Sequence, residues 1–418
     1  MESRAPAGSI MALFEWHGVM VAVLVGLVAR VALTTVIHHW FAVPLTSDDA
    51  TYVRFATAMV ETGRLATHHF PVGYPLFLAP FLLLGSVAFP AIRIAHVLLG
   101  LVTIVLVSRI ARRLYGERAG VVAAWLTAVY PPLVFMTGRI MSETLFIALL
   151  MGSLHEFLVC DGDPKAKRSA LAGALFGLAS LVRSNVVGML AFVPIWQFLR
   201  PGTSLRVRWV TATASVLVAC SILVLPGLYF LATKGEFIPF ATNAGQTFYG
   251  ANNPLADGGW LEVEEHQELL ASIPPEVRRS PVAYNKAERQ LGVKWIRENP
   301  GKFLGLLPKK LGNAWIPGFQ TSETTSRSKV AAVVLEVSLG LLILCAIAGR
   351  ILERPAQRDG VLWSVLATYT VMSLAFYGNP RIGLFCAPVL IVYAAAFVAR
   401  LLGTAAAPRR VVPPATSS

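Results

Sequence analysis

The chain has 418 residues, of which 55% are hydrophobic and only 14% charged, and its mean hydropathy is +0.62. A soluble domain carries about 25% charged residues, so too little polar surface exists to cover a water-soluble globule. A secreted enzyme, a cytosolic Rossmann protein and a disordered scaffold are thereby excluded. The excess of 36 Lys+Arg over 23 Asp+Glu invites a nucleic-acid reading, but the cations lie in short clusters between apolar stretches, as in the cytoplasmic loops of membrane proteins. No long basic run or zinc-finger spacing is present, so no nucleic-acid partner is expected.

The first apolar stretch, Val19–Ile37, follows a weakly basic N-terminus and has no small-residue cleavage site after it. It reads as a retained signal anchor. Further expected spans are Ala91–Val107, Val121–Phe135, Thr144–Val159, Ala170–Leu181, Val186–Leu199, Val210–Leu231, Val330–Ala348, Val361–Phe376 and Leu384–Leu402. Tyr74–Val87 is also apolar, but it falls short of the ~20 residues a span needs and holds Pro75 and Pro80.

Charge decides how Tyr74–Val87 is counted. If it lies in the interface, one set of loops holds Arg109, Arg112, Arg113 and Arg118, then Lys165, Lys167 and Arg168, Arg200, Arg206 and Arg208, and later Arg350, Arg354, Arg358, Arg400, Arg409 and Arg410. The short loops opposite hold only the scattered Arg54, Arg64, Arg139, Arg183 and Arg381. The positive-inside rule places the first set in the cytoplasm. Ten spans with both ends cytoplasmic follow: an all-α polytopic membrane unit over 1–402 and a disordered cytoplasmic tail over 403–418. Two regions face outward, a first loop over 39–90 with interfacial helices and a longer hydrophilic region over 233–328. Within the latter, Ala283–Glu298 reads as an amphipathic helix with Ala283, Ala287, Leu291 and Trp295 on one face. Cys160, Cys220, Cys345 and Cys386 all lie in or beside apolar segments without a CxxC pattern, which suits buried small hydrophobes rather than disulfides or zinc.

The chemistry-bearing residues gather in the outward loops. Ser47-Asp48-Asp49-Ala50-Thr51-Tyr52 follows the first span, and two carboxylates at a membrane boundary must be hydrated, paired or functional. Tyr52, Phe55, Ala56, Met59 and Val60 recur at helical spacing, so a short interfacial helix is expected, with Asp48 or Asp49 equally suited to cap it. His68-His69-Phe70-Pro71-Val72-Gly73-Tyr74-Pro75 forms a rigid approach to the interfacial stretch. No cofactor is demanded by these residues; Asp49, His68 and His69 are the candidates for a divalent metal. Gly138-Arg139-Ile140-Met141-Ser142-Glu143 is a short outer turn whose Arg139 and Glu143 either pair with each other or complete a polar site. Asn243–Gly259, with Asn252 and Asn253, is dense in turn residues and reads as a loop. Tyr377-Gly378-Asn379-Pro380-Arg381 is the last outer turn, where Arg381 either snorkels or acts.

In this order, SDDATY, FPVGYPLFLA, RIMSETLF, NAGQTFYGANNP and YGNPRIGLFCAP resemble the GT-C superfamily of membrane glycosyltransferases, most of all the branch of protein O-mannosyltransferases and lipid A aminoarabinose transferases. The resemblance covers about residues 15 to 400. It implies transfer of a sugar, with inversion, from a polyprenyl-phosphate donor to an acceptor hydroxyl on a glycolipid, glycan or protein. The expected setting is the outer face of a bacterial-type inner membrane. By the same resemblance Asp48 is the base, Glu143 the second acidic position and Arg381 a phosphate contact; Asp49 orients Asp48, caps the following helix or holds a metal. The branch often has a basic residue before two prolines where this chain reads Phe70-Pro71-Val72, so His69, Arg139 or Arg381 must meet the phosphate. Tyr74, Asn252 and Asn253 complete the candidate donor- and substrate-binding set. The mannosyltransferases' extra lumenal domain has no counterpart here, which disfavours a protein acceptor. A transporter or lipid flippase, and an O-antigen-ligase-like transferase, are the alternative readings.

Overall fold

The computed structural model describes residues 7–36, 45, 48–159, 166–199, 204–316, 329–353, 359–379 and 381–403. Ser47, Cys160, Pro380 and the tail beyond 403 lie outside the described residues. Among the described residues there are helices and no strand, and each expected span is helical. Five helical segments are long and apolar enough to cross a membrane alone, namely His17–Val36, Gly85–Tyr115, Leu205–Lys234, Val333–Leu352 and Ile382–Leu401. The bent pair Glu117–Val129 and Pro131–Gly138 makes a sixth. The other expected spans are helices of 17 residues or fewer, Glu143–Val159, Ala166–Val182, Met189–Leu199 and Gly360–Ala375.

Packing separates a dry centre from a rim that needs lipid. Ala387–Leu401 runs through the middle, its small residues Ala387, Ala394, Ala395 and Ala396 letting the helices around it approach. Glu143–Val159 is likewise buried on nearly every side. By contrast, Met20, Leu24, Val28 and Val31 expose one face of the first helix, as Leu217, Leu228 and Leu231 do on Leu205–Lys234. Exposed apolar stripes of this size would be a liability in water and cost nothing against hydrocarbon.

The bend after Val129 has a specific cause. Pro131 and Pro132 begin the second helix of the pair and have no N–H to offer the carbonyls four residues back, those of Thr127 and Ala128. Arg30, fully buried on the first helix, supplies both: its guanidinium donates to Ala128 O at 3.0 Å and Thr127 O at 3.3 Å, and to Gly26 O at 3.1 Å. A cation inside a span is thus explained by the backbone it caps. Replacing Arg30 by Met leaves those carbonyls orphaned at about 1–3 kcal/mol each, so thermal unfolding in detergent should come several degrees earlier. An unchanged midpoint would show that another donor takes over.

The loops expected to face outward are ordered against one another. Tyr74–Val87 is not one helix but Gly73–Leu82 followed by a single tight turn at Gly85–Val87. Gly73 sits on the backbone of Leu181 and Val182, where a Cβ would come within 2.7 Å. That close approach joins the first outer loop to the helix end immediately before Arg183. The long outer region leaves Leu205–Lys234 through Gly235 in the left-handed conformation and forms the helices Ala244–Gly250, Pro281–Glu298 and Pro300–Trp315. Pro281–Glu298 buries Trp295 as expected, together with Glu288 and Gly292. Ala244–Gly250 corrects the loop expected over Asn243–Gly259; its Gly245 packs on Asn285 O, a contact no local sequence signal reports.

Candidate active site

Asp48 and Asp49 fall in the first turn of helix Asp48–Thr62, where unpaired N–H groups and the helix dipole favour carboxylates. The helix lays Tyr52, Ala56 and Met59 onto the protein, whereas Val60, expected on the same face, is exposed. Tyr52 rests edge-on against Tyr74, ring centroids 4.9 Å apart, and its hydroxyl lies 3.4 Å from Ser142 Oγ. Tyr74 is fully buried, its hydroxyl 3.3 Å from His96 Nε2, and His96 Nδ1 meets Arg139 O at 3.1 Å. Tyr74 therefore supports the acidic helix and the Arg139 turn from beneath and presents no surface to a substrate.

Three carboxylates and three arginines converge here from separate parts of the chain. Arg139 Nη2 donates to Asp49 Oδ2 at 2.9 Å. Arg381 bridges Asp48 Oδ2 at 2.7 Å and Glu143 Oε1 at 3.2 Å. Arg183 donates to the same Glu143 oxygen at 2.9 Å and to Ser142 Oγ at 3.2 Å. The expected pairing of Arg139 with Glu143 is not formed: each has a partner from another loop. Arg183 was not expected at the site, though it is one of the five arginines in the short loops expected to face outward.

Accessibility separates the acids. Asp48 has 37% of its side chain exposed, against 2% for Asp49 and 3% for Glu143. Asp49 also accepts from its neighbour Ala50 N at 2.9 Å, so both its oxygens hold structure in place. Among the arginines, Arg381 is the most open.

The remaining candidates lie elsewhere or face inward. His68 Nδ1 lies 3.2 Å from Thr242 Oγ1, and burial, with Lys234 and His69 nearby, holds its imidazolium below the usual range. Burial also lowers His69, although Glu264 and a hydrogen bond to Gln246 oppose it. Asn252 and Asn253 are fully buried and spend their amide hydrogens on backbone: Asn252 on Phe248 O and Ala375 O, Asn253 on Tyr249 O and Gly250 O. They set the shape of the outer region. Among the described residues no group of three or more His, Cys, Asp or Glu side chains is placed to hold a metal ion. Asp49, His68 and His69 are not assembled into one ligand set.

A second acidic cluster fastens the long outer region to the first loop. Gln246 Nε2 donates to Glu262 Oε1 at 2.8 Å and Glu264 Oε2 at 2.6 Å. Glu288 is buried beside them, raised to about 8 first by desolvation and then by Glu264. Glu262 is raised to about 7 by burial and Glu264. A carboxyl raised by folding stabilises the folded state fully below its unfolded value near 4.5, and that contribution is lost as pH rises through about 8. Thermal stability should accordingly fall between pH 5 and pH 9, and Glu288→Gln should flatten the fall and be more stable than wild type at pH 9. Parallel pH curves for the two proteins would assign the titration elsewhere.

Residues 68–230 match the family model described as dolichyl-phosphate-mannose-protein mannosyltransferase. No curated protein matches by sequence. Among solved structures, the apo oligosaccharyltransferase of Archaeoglobus fulgidus is similar with a TM-score of 0.53 at 14% identity, covering 93% of this chain and 50% of that one. The same enzyme tethered with an acceptor peptide containing the NVT sequon gives 0.56 at 16% identity, with 93% and 50% covered. ArnT from Cupriavidus metallidurans, bound to undecaprenyl phosphate, aligns over 95% of this chain and 79% of its own at 16% identity, with a TM-score of 0.33. The chain spans about half the length of the archaeal enzyme. The family match over residues 68–230 and the similarity in fold to a membrane oligosaccharyltransferase agree with the resemblance to the GT-C superfamily of membrane glycosyltransferases.

Proposed function

We propose that the chain transfers a sugar from a polyprenyl-phosphate donor to an acceptor hydroxyl on the non-cytoplasmic face of a bacterial-type inner membrane, inverting the anomeric centre. The observation that carries this reading is that three acids meet three arginines and only Asp48 among the acids is open. Asp48 takes the proton of the acceptor hydroxyl as its oxygen bonds to the anomeric carbon. The bond from that carbon to the phosphate oxygen breaks, and the electron pair leaves with the polyprenyl phosphate. Arg381 meets the growing charge on that leaving group.

Arg381 also explains how base and donor are coupled. Its guanidinium donates to Asp48. A phosphate arriving at the membrane surface competes for the same fork of donors, and Asp48 is freed as the donor is seated. Glu143 holds the other edge of Arg381 and is itself held by Arg183, which keeps the arginine close while it changes partner. Asp49 fixes Arg139 in the same way.

The test is mass spectrometry of cell-envelope glycolipids and glycans with and without the gene, joined to a donor assay. A species lost on deletion and restored by the wild-type chain supports the reading, and its structure names the sugar. An unchanged envelope, or transfer only from a diphosphate-linked glycan, overturns it. The outward placement is tested separately by thiol labelling in intact cells. Cysteine at position 143 reacting only after permeabilisation would reverse the sidedness.

A further inference from the structure

Helix Gly360–Ala375 ends without a glycine cap, and its chain leaves the helical conformation at Phe376. The last carbonyls of a helix need donors from outside it. Here they come from the long outer region. Asn252 Nδ2 donates to Ala375 O at 2.9 Å, and Lys310 Nζ donates to Leu374 O at 3.3 Å and to Asn252 Oδ1 at 2.8 Å. Lys310 and Asn252 are both fully buried. Among the described residues Lys310 has no carboxylate partner; its ammonium stands 5.4 Å from the Phe303 ring centroid instead. Burial alone brings it down to about 8. A cation buried without an anion is costly, so a cheaper residue would serve if only volume mattered.

What Lys310 secures is the route to Arg381. Gly378 lies against Lys310 O and Ala314 N, with no room for a Cβ. The Tyr369 hydroxyl lies 2.8 Å from Asn379 O and 3.2 Å from Ala314 O. Asn379 Oδ1 then accepts from Arg381 N at 2.8 Å. The helix Pro300–Trp315 is thus a template along which the last outer turn is laid, fastened at one end by Lys310 and Asn252.

We infer that Lys310 is a positioning residue: with Asn252 it latches the end of helix Gly360–Ala375 to the outer region and so sets where Arg381 meets Asp48 and Glu143. The latch itself rests on geometry alone; its consequence for turnover rests on the proposed transfer reaction. Hydrogen exchange followed by mass spectrometry on the purified full-length protein reads the latch without substrate. Lys310→Met should speed exchange across 376–386 about tenfold, the factor one lost buried hydrogen bond gives, while 139–147 stays protected. Lys310→Gln keeps a donor and should restore part of the protection, and it provides the reading if the Met variant does not fold. Unchanged exchange across 376–386 in both variants, or an equal rise throughout the chain, overturns the latch. Envelope product is measured in the same variants beside Asp48→Asn. Local loosening with loss of product supports the inference, whereas loosening with full product overturns Lys310's role in positioning Arg381. If Asp48→Asn also leaves the product intact, it is the transfer reading that fails and the latch that stands.

Discussion

Replacing Asp48 by Asn should lower turnover by roughly 10²–10⁴-fold, the range that removal of a general base gives, while expression and donor binding stay close to wild type. An acceptor hydroxyl is a weak nucleophile at neutral pH, and inversion needs a single base on the face opposite the leaving phosphate. The Asn amide keeps the shape and one acceptor oxygen but takes no proton. Folding should barely change, because Asp48 is the open member of the cluster and its partner Arg381 retains Glu143. Asp49→Asn should behave differently. Asp49 is buried and bonded to Arg139 and Ala50 N, so its loss should lower the thermal midpoint as well as activity, by loosening the Arg139 turn. The measurement is transfer in isolated membranes, with the product identified from the envelope comparison, beside a thermal melt of each variant. Near wild-type turnover in Asp48→Asn with loss in Asp49→Asn would move the base one residue along, and activity in both would remove a carboxylate base from the mechanism.

The helices were legible because lipid writes a plain signal: long apolar runs broken by charge. Their bounds and internal bends were less so. Val121–Phe135 reads as one span, yet the chain bends by 49° between its two helices, and only the contact with Arg30 on another helix explains how the bend is satisfied. Arg30 itself sits among Val, Leu and Ala, and nothing nearby in sequence names the carbonyls it meets. The short helix Ala244–Gly250 was hidden for the same reason, since its Gly and Asn neighbours favour turns locally and distant packing overrides them.

Charge sidedness carried more of the site than the motifs did. Arg139, Arg183 and Arg381 are three of the five arginines that the charge pattern assigns to the short loops away from the cation clusters, and all three meet the carboxylates. Arg183 belonged to that pattern and could have been singled out by it. What the pattern cannot give is the pairing: Arg139 and Glu143, four residues apart, look like mates and instead serve Asp49 and two other arginines. Lys310 was harder still. It stands in a Lys309-Lys310 doublet, of which Lys309 is exposed and Lys310 fully buried, and only the fold decides between them.

Arg381→Ala should weaken binding of a long polyprenyl phosphate in nanodiscs by roughly 10–100-fold, the loss expected for one hydrogen bond to a charged group at about 1.5–3 kcal/mol. The thermal midpoint should move little. Arg183 still neutralises Glu143, and Asp48 is exposed enough to be hydrated. Arg381→Lys should recover only part of the affinity, because an ammonium cannot present the paired donors of a guanidinium to a phosphate. The same arginine lies on the base, so its two roles are separable by a double-mutant cycle. If phosphate binding draws Arg381 away from Asp48, Arg381→Ala and Asp48→Asn should be strongly non-additive in turnover, as groups in direct contact are, while donor affinity follows Arg381 alone. Additive losses would mean that Arg381 binds the donor without governing the base. Unchanged donor affinity in both Arg381→Ala and Arg139→Ala would take the phosphate away from this cluster, toward Lys234 and His69.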